Sequence, residues 1–478
     1  MIGENLQAGS TLWKLPWPGY LRSTARDEIA GYAASTSAVV SDALEFKVTT
    51  NPAAPFNVDI LRLGWYAGAG GRLVAHLDSV PGVTQPACPS PGLTADSARE
   101  CRWSSAFSLP ITADYTSGVY VAVLTSQDHH QVGVPFVVRD PSRATALLYI
   151  SPFMTYQAYN NYPNDAPTPQ ARPASGQSLY PDSSAVTAAA PAGQSAVRVS
   201  FDRPYAGPLG IGQFESFEPP LIQFLERNGY DVSYTADTDI AADPAELKRH
   251  RGIVLASHPE YSTRAMFDGV RNARDSGVNI ASIAANELYW QSRLEPSSAG
   301  VARRVLVGYK ATRPDPTTDQ RQRTDTRFRS LGLPEQQILG SQYMGSSHIA
   351  AGGQALVPVS TTHWAFSGTG ITEGTPLRGE LSGYEINVND PAGGVPPSTT
   401  FTTLMRSPFT GADGKPYTQT STIYRAPSGA WVFESGSMAW AWGLTPGFGF
   451  RQSNNENPGL ERMTHNILDV IAGVVTPP

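Results

Sequence analysis

Two short apolar runs in this 478-residue chain end in residues that can carry acid–base or metal chemistry. Ile253 to Ala256 stops at Ser257-His258-Pro259-Glu260-Tyr261, and Val278 to Ala284 stops at Ala285-Asn286-Glu287-Leu288-Tyr289-Trp290. A carboxylate held in an apolar crevice acts as a general base with a raised pKa. The same carboxylate grouped with phenols instead makes a hard oxygen donor set, suited to ferric iron better than to zinc. A cation held that way polarises an amide carbonyl and generates hydroxide near neutral pH. The residues alone leave both chemistries open.

The elements that must position these side chains can be read from the same stretch. Met266, Val270 and Ala273 recur at helical spacing between the two runs, Ser262 or Thr263 can cap the start, and Gly277 can follow the end. Strand, helix and parallel strand place both carboxyl ends on one edge of a sheet, where open α/β sheets hold ligands. His258, Glu260, Tyr261, Asn286, Glu287 and Tyr289 are therefore expected to share a crevice, with Tyr289 and Trp290 alternatively serving as core aromatics.

Elsewhere the pattern changes twice. After a Trp/Pro/Gly-rich lead-in (1–25), short alternating runs such as Leu44–Val48, Phe56–Leu63, Val119–Leu124 and Val134–Val138 predict an immunoglobulin-like β-sandwich over 26–142, without its hallmark Cys–Trp–Cys spacing. From 143 to 478 strands alternate with helices, predicting a doubly wound, mainly parallel α/β domain with a β-rich C-terminal extension. Within it, the polar-aromatic cluster 155–162 reads as a site-lining loop and the Pro/Ala/Ser/Gln-rich run 163–196 as a long exposed loop. His363–Phe366, Gly383–Ile386, Thr422–Tyr424 and Ala430–Phe433 are predicted strands, and Gly459–Ala472 a helix packing back on the sheet.

The net charge of −6 and the lack of a Lys/Arg cluster argue against nucleic acid or an anionic membrane surface as partner. No apolar run approaches the ~20 residues that span a bilayer. Met1–Ser10 lacks the basic and apolar regions of a signal peptide. The two cysteines, Cys88 and Cys101, lie close together in a loop-like stretch, and a local disulfide between them points to secretion with the leader removed. A thiol nucleophile is excluded at the crevice, because the turn that carries the catalytic cysteine in class I glutamine amidotransferases reads Ala284-Ala285-Asn286 here. There is no G-x-S-x-G elbow, P-loop, G-x-G-x-x-G or H-E-x-x-H.

The runs SHPEY (257–261), ANELYW (285–290), TYQAYNNY (155–162), GYDVSYTADTDI (229–240), HWAFSGTG (363–370), GYE (383–385), SGAWVFESGSMAWAWGL (428–444) and DILRLGWYAGAGGRLV (59–74) together resemble the N,N-dimethylformamidase large-subunit family. The resemblance is closest to secreted bacterial relatives in which a β-sandwich precedes an amidotransferase-like domain. It implies hydrolysis of a C–N (amide) bond with one iron ion held by two tyrosines and a glutamate. On that resemblance Glu260 is the ligand glutamate, Tyr159 or Tyr156 the first tyrosine, Asn286 a hydrogen-bond donor to substrate, and Glu385 a second carboxylate and general base. His258 joins this catalytic group, and Tyr261, Tyr289 and Lys310 the substrate contacts. The chain departs from the family at Phe201, aligned with a tyrosine, which leaves Tyr205 as the substitute second ligand. The chain holds no counterpart of a small-subunit partner, and an oligomer is compatible with the reading. The competing expectations are a metal-free enzyme, or one of different specificity, on the same scaffold, and a non-catalytic protein whose cleft binds a carbohydrate or other ligand.

Overall fold

The computed structural model describes residues 1–24, 26–88, 98–162, 178–180, 195–205, 212–311, 313–346, 355–411, 413–449 and 454–477. Most of the run 163–196, expected as an exposed loop, thus lies outside the described residues.

Alternating sequence builds the N-terminal region from two sheets. One contains β1 (Leu21–Arg22), β3 (Ser37–Val39), β5 (Phe56–Leu63), β6 (Gly71–Val80), β8 (Gly118–Ser126) and β9 (His130–Arg139), and the other β2 (Ile29–Ala33), β4 (Ala43–Thr50) and β7 (Phe107–Pro110). In β4, Leu44, Phe46 and Val48 are buried while Ala43 and Glu45 face solvent, the period of two that a half-buried strand requires. These side chains meet Val58, Ile60, Tyr120 and Phe136 of the other sheet in one core. Phe46 stacks on Phe107 with centroids 4.8 Å apart. Strand β6 escapes a reading from the sequence because it is an edge strand buried only at its ends. A disulfide joins Cys88 to Cys101, as the spacing suggests.

The second region is organised by β13 (Gly252–Ser257), α4 (Arg264–Asp275) and β15 (Asn279–Ala284). Thr263 caps α4 by accepting from the Met266 amide, Met266, Val270 and Ala273 are buried beneath it, and Gly277 follows its end at φ 95°. The parallel strands run in the order β12 (Val232–Ala236), β10 (Leu147–Ser151), β13, β15, β23 (Trp431–Glu434). Then β22 (Pro416–Arg425), β21 (Thr400–Thr410) and β19 (Val357–Pro358) continue the same sheet antiparallel, giving eight strands. The sheet is therefore mixed, and the strands expected as an appended extension complete it. A four-stranded sheet, β11 (Arg198–Ser200), β17 (Val305–Val307), β16 (Trp290–Glu295) and β14 (Tyr261–Thr263), lies beyond the carboxyl ends of β13 and β15, and β18 (Gln342–Ser346) pairs with β20 (Glu385–Val388).

Two local expectations are corrected. Residues 155–159 of the supposed site loop (155–162) belong to helix α1 (Phe153–Tyr159), every residue of which is buried. The stretch at 363–366 is a 3-10 turn whose start is capped when the His363 ring accepts from the Ala365 amide. Helix α2 (Gly212–Arg227) is followed by Gly229 at φ 72°, and α3 (Asp237–Ala242) and α5 (Gln336–Leu339) are short. The last helix, α6 (Pro458–Ile471), packs on the sheet as expected, with Asn279 donating to the Ile471 carbonyl at 2.9 Å.

The two regions meet over a wholly buried ion pair. Arg62 of β5 makes two bonds to Glu226 of α2, at 2.7 and 2.9 Å, with neither side chain exposed. Ser117 O and Tyr66 OH also accept from the guanidinium, and Tyr234 and Asn5 donate to the carboxylate. A side chain at Gly64 would overlap the Glu226 carboxylate, which accounts for the glycine in LRLGW. Burial works against the Arg62 charge, but Glu226 outweighs it and raises the guanidinium above its ordinary value. Removing one partner of such a pair leaves an uncompensated buried charge. Glu226→Ala should therefore lower unfolding free energy in urea by about 3–5 kcal/mol, whereas Arg62→Met with Glu226→Leu should recover most of the loss.

Candidate active site

Both central strands deliver their polar residues through strained turns. Ser257, the last residue of β13, and Asn286, two residues past β15, adopt φ 62° and 59°, a left-handed conformation that non-glycine residues take up at a cost. The cost is met by hydrogen bonds: the Asn286 amide donates to Asn387 Oδ1 at 2.9 Å, and the Glu260 amide to Thr155 Oγ1 at 3.1 Å. Asn387 is in turn held by two fully buried carboxylates, donating to Glu287 at 2.7 Å and to Glu434 at 3.3 Å. Glu287, expected in the crevice, thus turns inward and also accepts from Ser282.

Glu260 is 2% exposed, so its carboxylate needs partners, and two phenols supply them. Tyr159 donates to Oε2 at 3.0 Å and Tyr180 to Oε1 at 2.5 Å. The two rings stack with centroids 4.2 Å apart, and Tyr261 donates to the Tyr180 hydroxyl at 2.9 Å. Burial, and then the charge of Glu260, push both phenols well above the usual tyrosine value. Burial and the nearby Glu385 likewise raise Glu260.

His258 lies between the carboxylates, with Nε2 3.2 Å from Glu385 and 3.5 Å from Glu260, and Nδ1 3.1 Å from Gln213 Oε1. Burial works to lower its pKa, but Glu385 and Glu260 together raise it. Asn286 donates to the same Glu385 oxygen, and the other end of its buried side-chain amide has no partner among the described residues. Lys310, beyond β17 at φ 57°, lays its ammonium 3.2 Å from the Tyr180 ring centroid. Burial draws it down to about 8 against the pull of Glu260 and Glu385. Tyr289 is 7% exposed and packs edge-on to Trp290 and Tyr343, so it serves as wall and core aromatic together.

The structure does not bring Tyr156 or Tyr205 to Glu260. Tyr156 sits one turn before Tyr159 on α1 and donates to Glu218 at 2.6 Å, with Ser257 at 3.5 Å. Tyr205 is buried where it senses Arg304, Asp237 and Arg203. Phe201 packs against the Arg304 guanidinium, 5.7 Å away, as a core residue. The tyrosine that does reach Glu260 is Tyr180, from the Pro/Ala/Ser/Gln-rich run. Its only sequence signal is the apolar-aromatic pair Leu179-Tyr180 within SGQSLYPDSS. Leu179 is tied to α1 by its amide, which donates to the Ala158 carbonyl at 2.9 Å. Arg203, wholly buried, grips the carbonyls of Gln157, Asn160 and Tyr162 and so fixes the end of the helix that presents Tyr159.

Among the described residues, no three His, Cys, Asp or Glu side chains are grouped to hold a metal. The donor set that converges is two phenols and one carboxylate, all hard oxygens, a chemistry that suits a hard cation such as iron. No helix in the described residues is long and apolar enough to cross a membrane.

A run of parallel strands that gathers carboxylate, phenol and imidazole groups beyond its carboxyl ends defines an α/β protein with a cluster of acid–base groups at the sheet edge where such folds place ligands. The chain belongs to the N,N-dimethylformamidase beta subunit-like family, whose C-terminal model matches residues 57–457. It is 26% identical over 277 residues to the N,N-dimethylformamidase beta subunit of Paracoccus aminophilus, covering 52% of this chain and 35% of that protein. The corresponding subunit of an Alcaligenes species is 25% identical over 278 residues, covering 52% and 36%. The match takes in about a third of the length of these curated relatives.

Tyr156 and its partner give a pH prediction. Burial raises Glu218 from the ordinary 4.5 to about 7, against hydrogen bonds from Ser151 and Tyr156. A carboxyl raised in the folded state holds its proton there while the unfolded chain releases it. The resulting stability is complete below about pH 4.5 and is lost as pH rises through about 7. Glu218→Gln should remove this component, on the order of 3 kcal/mol, so that the stability difference between variant and parent changes across that window in urea titrations.

Proposed function

We propose that this chain hydrolyses the C–N bond of a small amide, at a site where Tyr159, Tyr180 and Glu260 hold one iron ion. The observation that carries the reading is the convergence of the two phenols on the two oxygens of the buried Glu260, at 3.0 and 2.5 Å. Similarity to N,N-dimethylformamidase beta subunits supports the reaction class. When bound, the iron would polarise the amide carbonyl and lower the pKa of coordinated water.

The rest is done by side chains of this chain. Tyr159 and Tyr180 would hold the ion as phenolates, because a cation favours the charged form that burial alone suppresses. Glu385 takes the proton of the attacking water. Its Oε2 is held by Asn286 and His258, which leaves Oε1 for that proton. The open end of the Asn286 amide and the Lys310 ammonium orient the substrate, and Tyr261 fixes the Tyr180 hydroxyl. The residues from 26 to 142 are read as an immunoglobulin-like sandwich in front of an amidotransferase-like domain, and the Cys88–Cys101 disulfide supports export to an oxidising compartment.

Elemental analysis of protein purified without chelator, together with a screen of small formamides and acetamides, tests the reading. Near-stoichiometric iron is expected in the parent, with loss of both iron and hydrolysis in Glu260→Gln and in Tyr180→Phe. Tyr156→Phe should keep the iron. A parent protein that carries no metal and cleaves no amide overturns the proposal.

A further inference from the structure

Arg327 and Arg329 approach the same ring from different circumstances. Their guanidinium carbons lie 5.2 and 5.0 Å from the centroid of Tyr289, a wall of the cleft. Arg329 is neutralised, since it pairs with the buried Glu335 carboxylate and donates to the Tyr343 carbonyl at 2.8 Å. Arg327 has no counter-ion among the described residues, is exposed, and lies equally close to Trp290, at 5.2 Å. Its backbone is fixed there, bridging to Trp290, while the Phe328 amide donates to the Tyr289 carbonyl at 3.1 Å. The long side chain is therefore laid, exposed, along two aromatics that adjoin the site.

A second cation stands on the same wall. Lys310 is 5.7 Å from the Trp290 ring, so Arg327 and Lys310 both flank one indole. Glu260 and Glu385 act on Lys310 from within, but the Arg327 charge works against it from outside. Like charges drawn together cost free energy that an anion placed beside them returns. A guanidinium whose planar donor edge meets no acceptor among the described residues fits a carboxylate, which it binds through two parallel hydrogen bonds.

We propose that Arg327 is a specificity-determining residue that binds a carboxylate on the substrate, so that the preferred substrate is an anionic amide of the N-acyl amino acid class. This deepens the amide-hydrolase reading and rests on it for the reaction, though not for the binding of the anion. A neutral formamide leaves Arg327 unused, whereas an acylated amino acid can reach it with its carboxylate while its amide enters the cleft.

Two measurements separate the anion subsite from the reaction. Levulinate, a ketone isostere of N-acetylglycine that cannot be hydrolysed as an amide, is titrated calorimetrically into the parent protein, Arg327→Gln and Arg327→Lys. The control ligand is the ketone in which an isopropyl group replaces the carboxylate. The parent should bind levulinate at least about tenfold more tightly than the control. Arg327→Gln should erase that preference and Arg327→Lys should keep part of it. Equal affinities in the parent, no measurable binding of levulinate, or a preference that survives in Arg327→Gln overturns the proposal. In turnover, KM for N-formylglycine should rise about tenfold in Arg327→Gln with kcat within about twofold, while N-isobutylformamide is unaffected. If neither formamide is cleaved by the parent, the hydrolase reading falls while the titration still decides the subsite.

Discussion

Keeping the Glu260 carboxylate out of water is the constraint from which the site follows. An ion-capable group that is 2% exposed survives only if its oxygens are engaged, and among the described residues no arginine or lysine bonds to them. Two phenols from one side and the imidazole of His258 from the other take up that role. Everything nearby serves to bring those rings in. Helix α1 carries Tyr159, Arg203 holds the end of that helix, and the Leu179 amide ties the Tyr180 segment to the same turn. The oxygens that satisfy one another in this way are the same oxygens a hard cation would take.

The parallel strands explain why the second carboxylate arrives from so far along the chain. β13 and β15 end side by side and turn through positive φ at Ser257 and Asn286, so the residues that follow are thrown across the sheet edge. Glu385 comes from the start of β20, more than a hundred residues beyond Glu260, and meets His258 and Asn286 there. Beneath them Asn387, Glu287 and Glu434 form a buried polar layer that holds the strained Asn286 in place.

The central strand–helix–strand unit was legible because its signals are local: two apolar runs, a helical period between them, a Thr263 cap and a following glycine. The same locality made His258, Glu260 and Asn286 readable, since they follow the strands directly. Tyr180 was not readable, because what places it is a hydrogen bond to α1 inside a run whose composition says only loop. The choice between Tyr156 and Tyr159 depended on recognising a helix where a loop was expected, as only the helical period decides which ring faces Glu260. Of the C-terminal strands in the main sheet, β22 and β23 were seen but β19 and β21 were not, and membership in that sheet is set by pairings such as Ile280 with Val432, which no local pattern encodes.

The DILRLGWYAGAGGRLV run, which looked like a family mark on the N-terminal sheets, turns out to be the joint. Arg62, Gly64 and Tyr66 from it close over Glu226, and Asn5 at the beginning of the chain closes over the same carboxylate. Neither half is thus a portable module. A graft that moved the β-rich region onto another protein would carry a naked guanidinium on its new face, and the sheet left behind would keep an orphaned carboxylate. Descent with rearrangement has to carry the two together, and any lineage that recombines this architecture must inherit both sides of the seam or rebuild it in apolar residues.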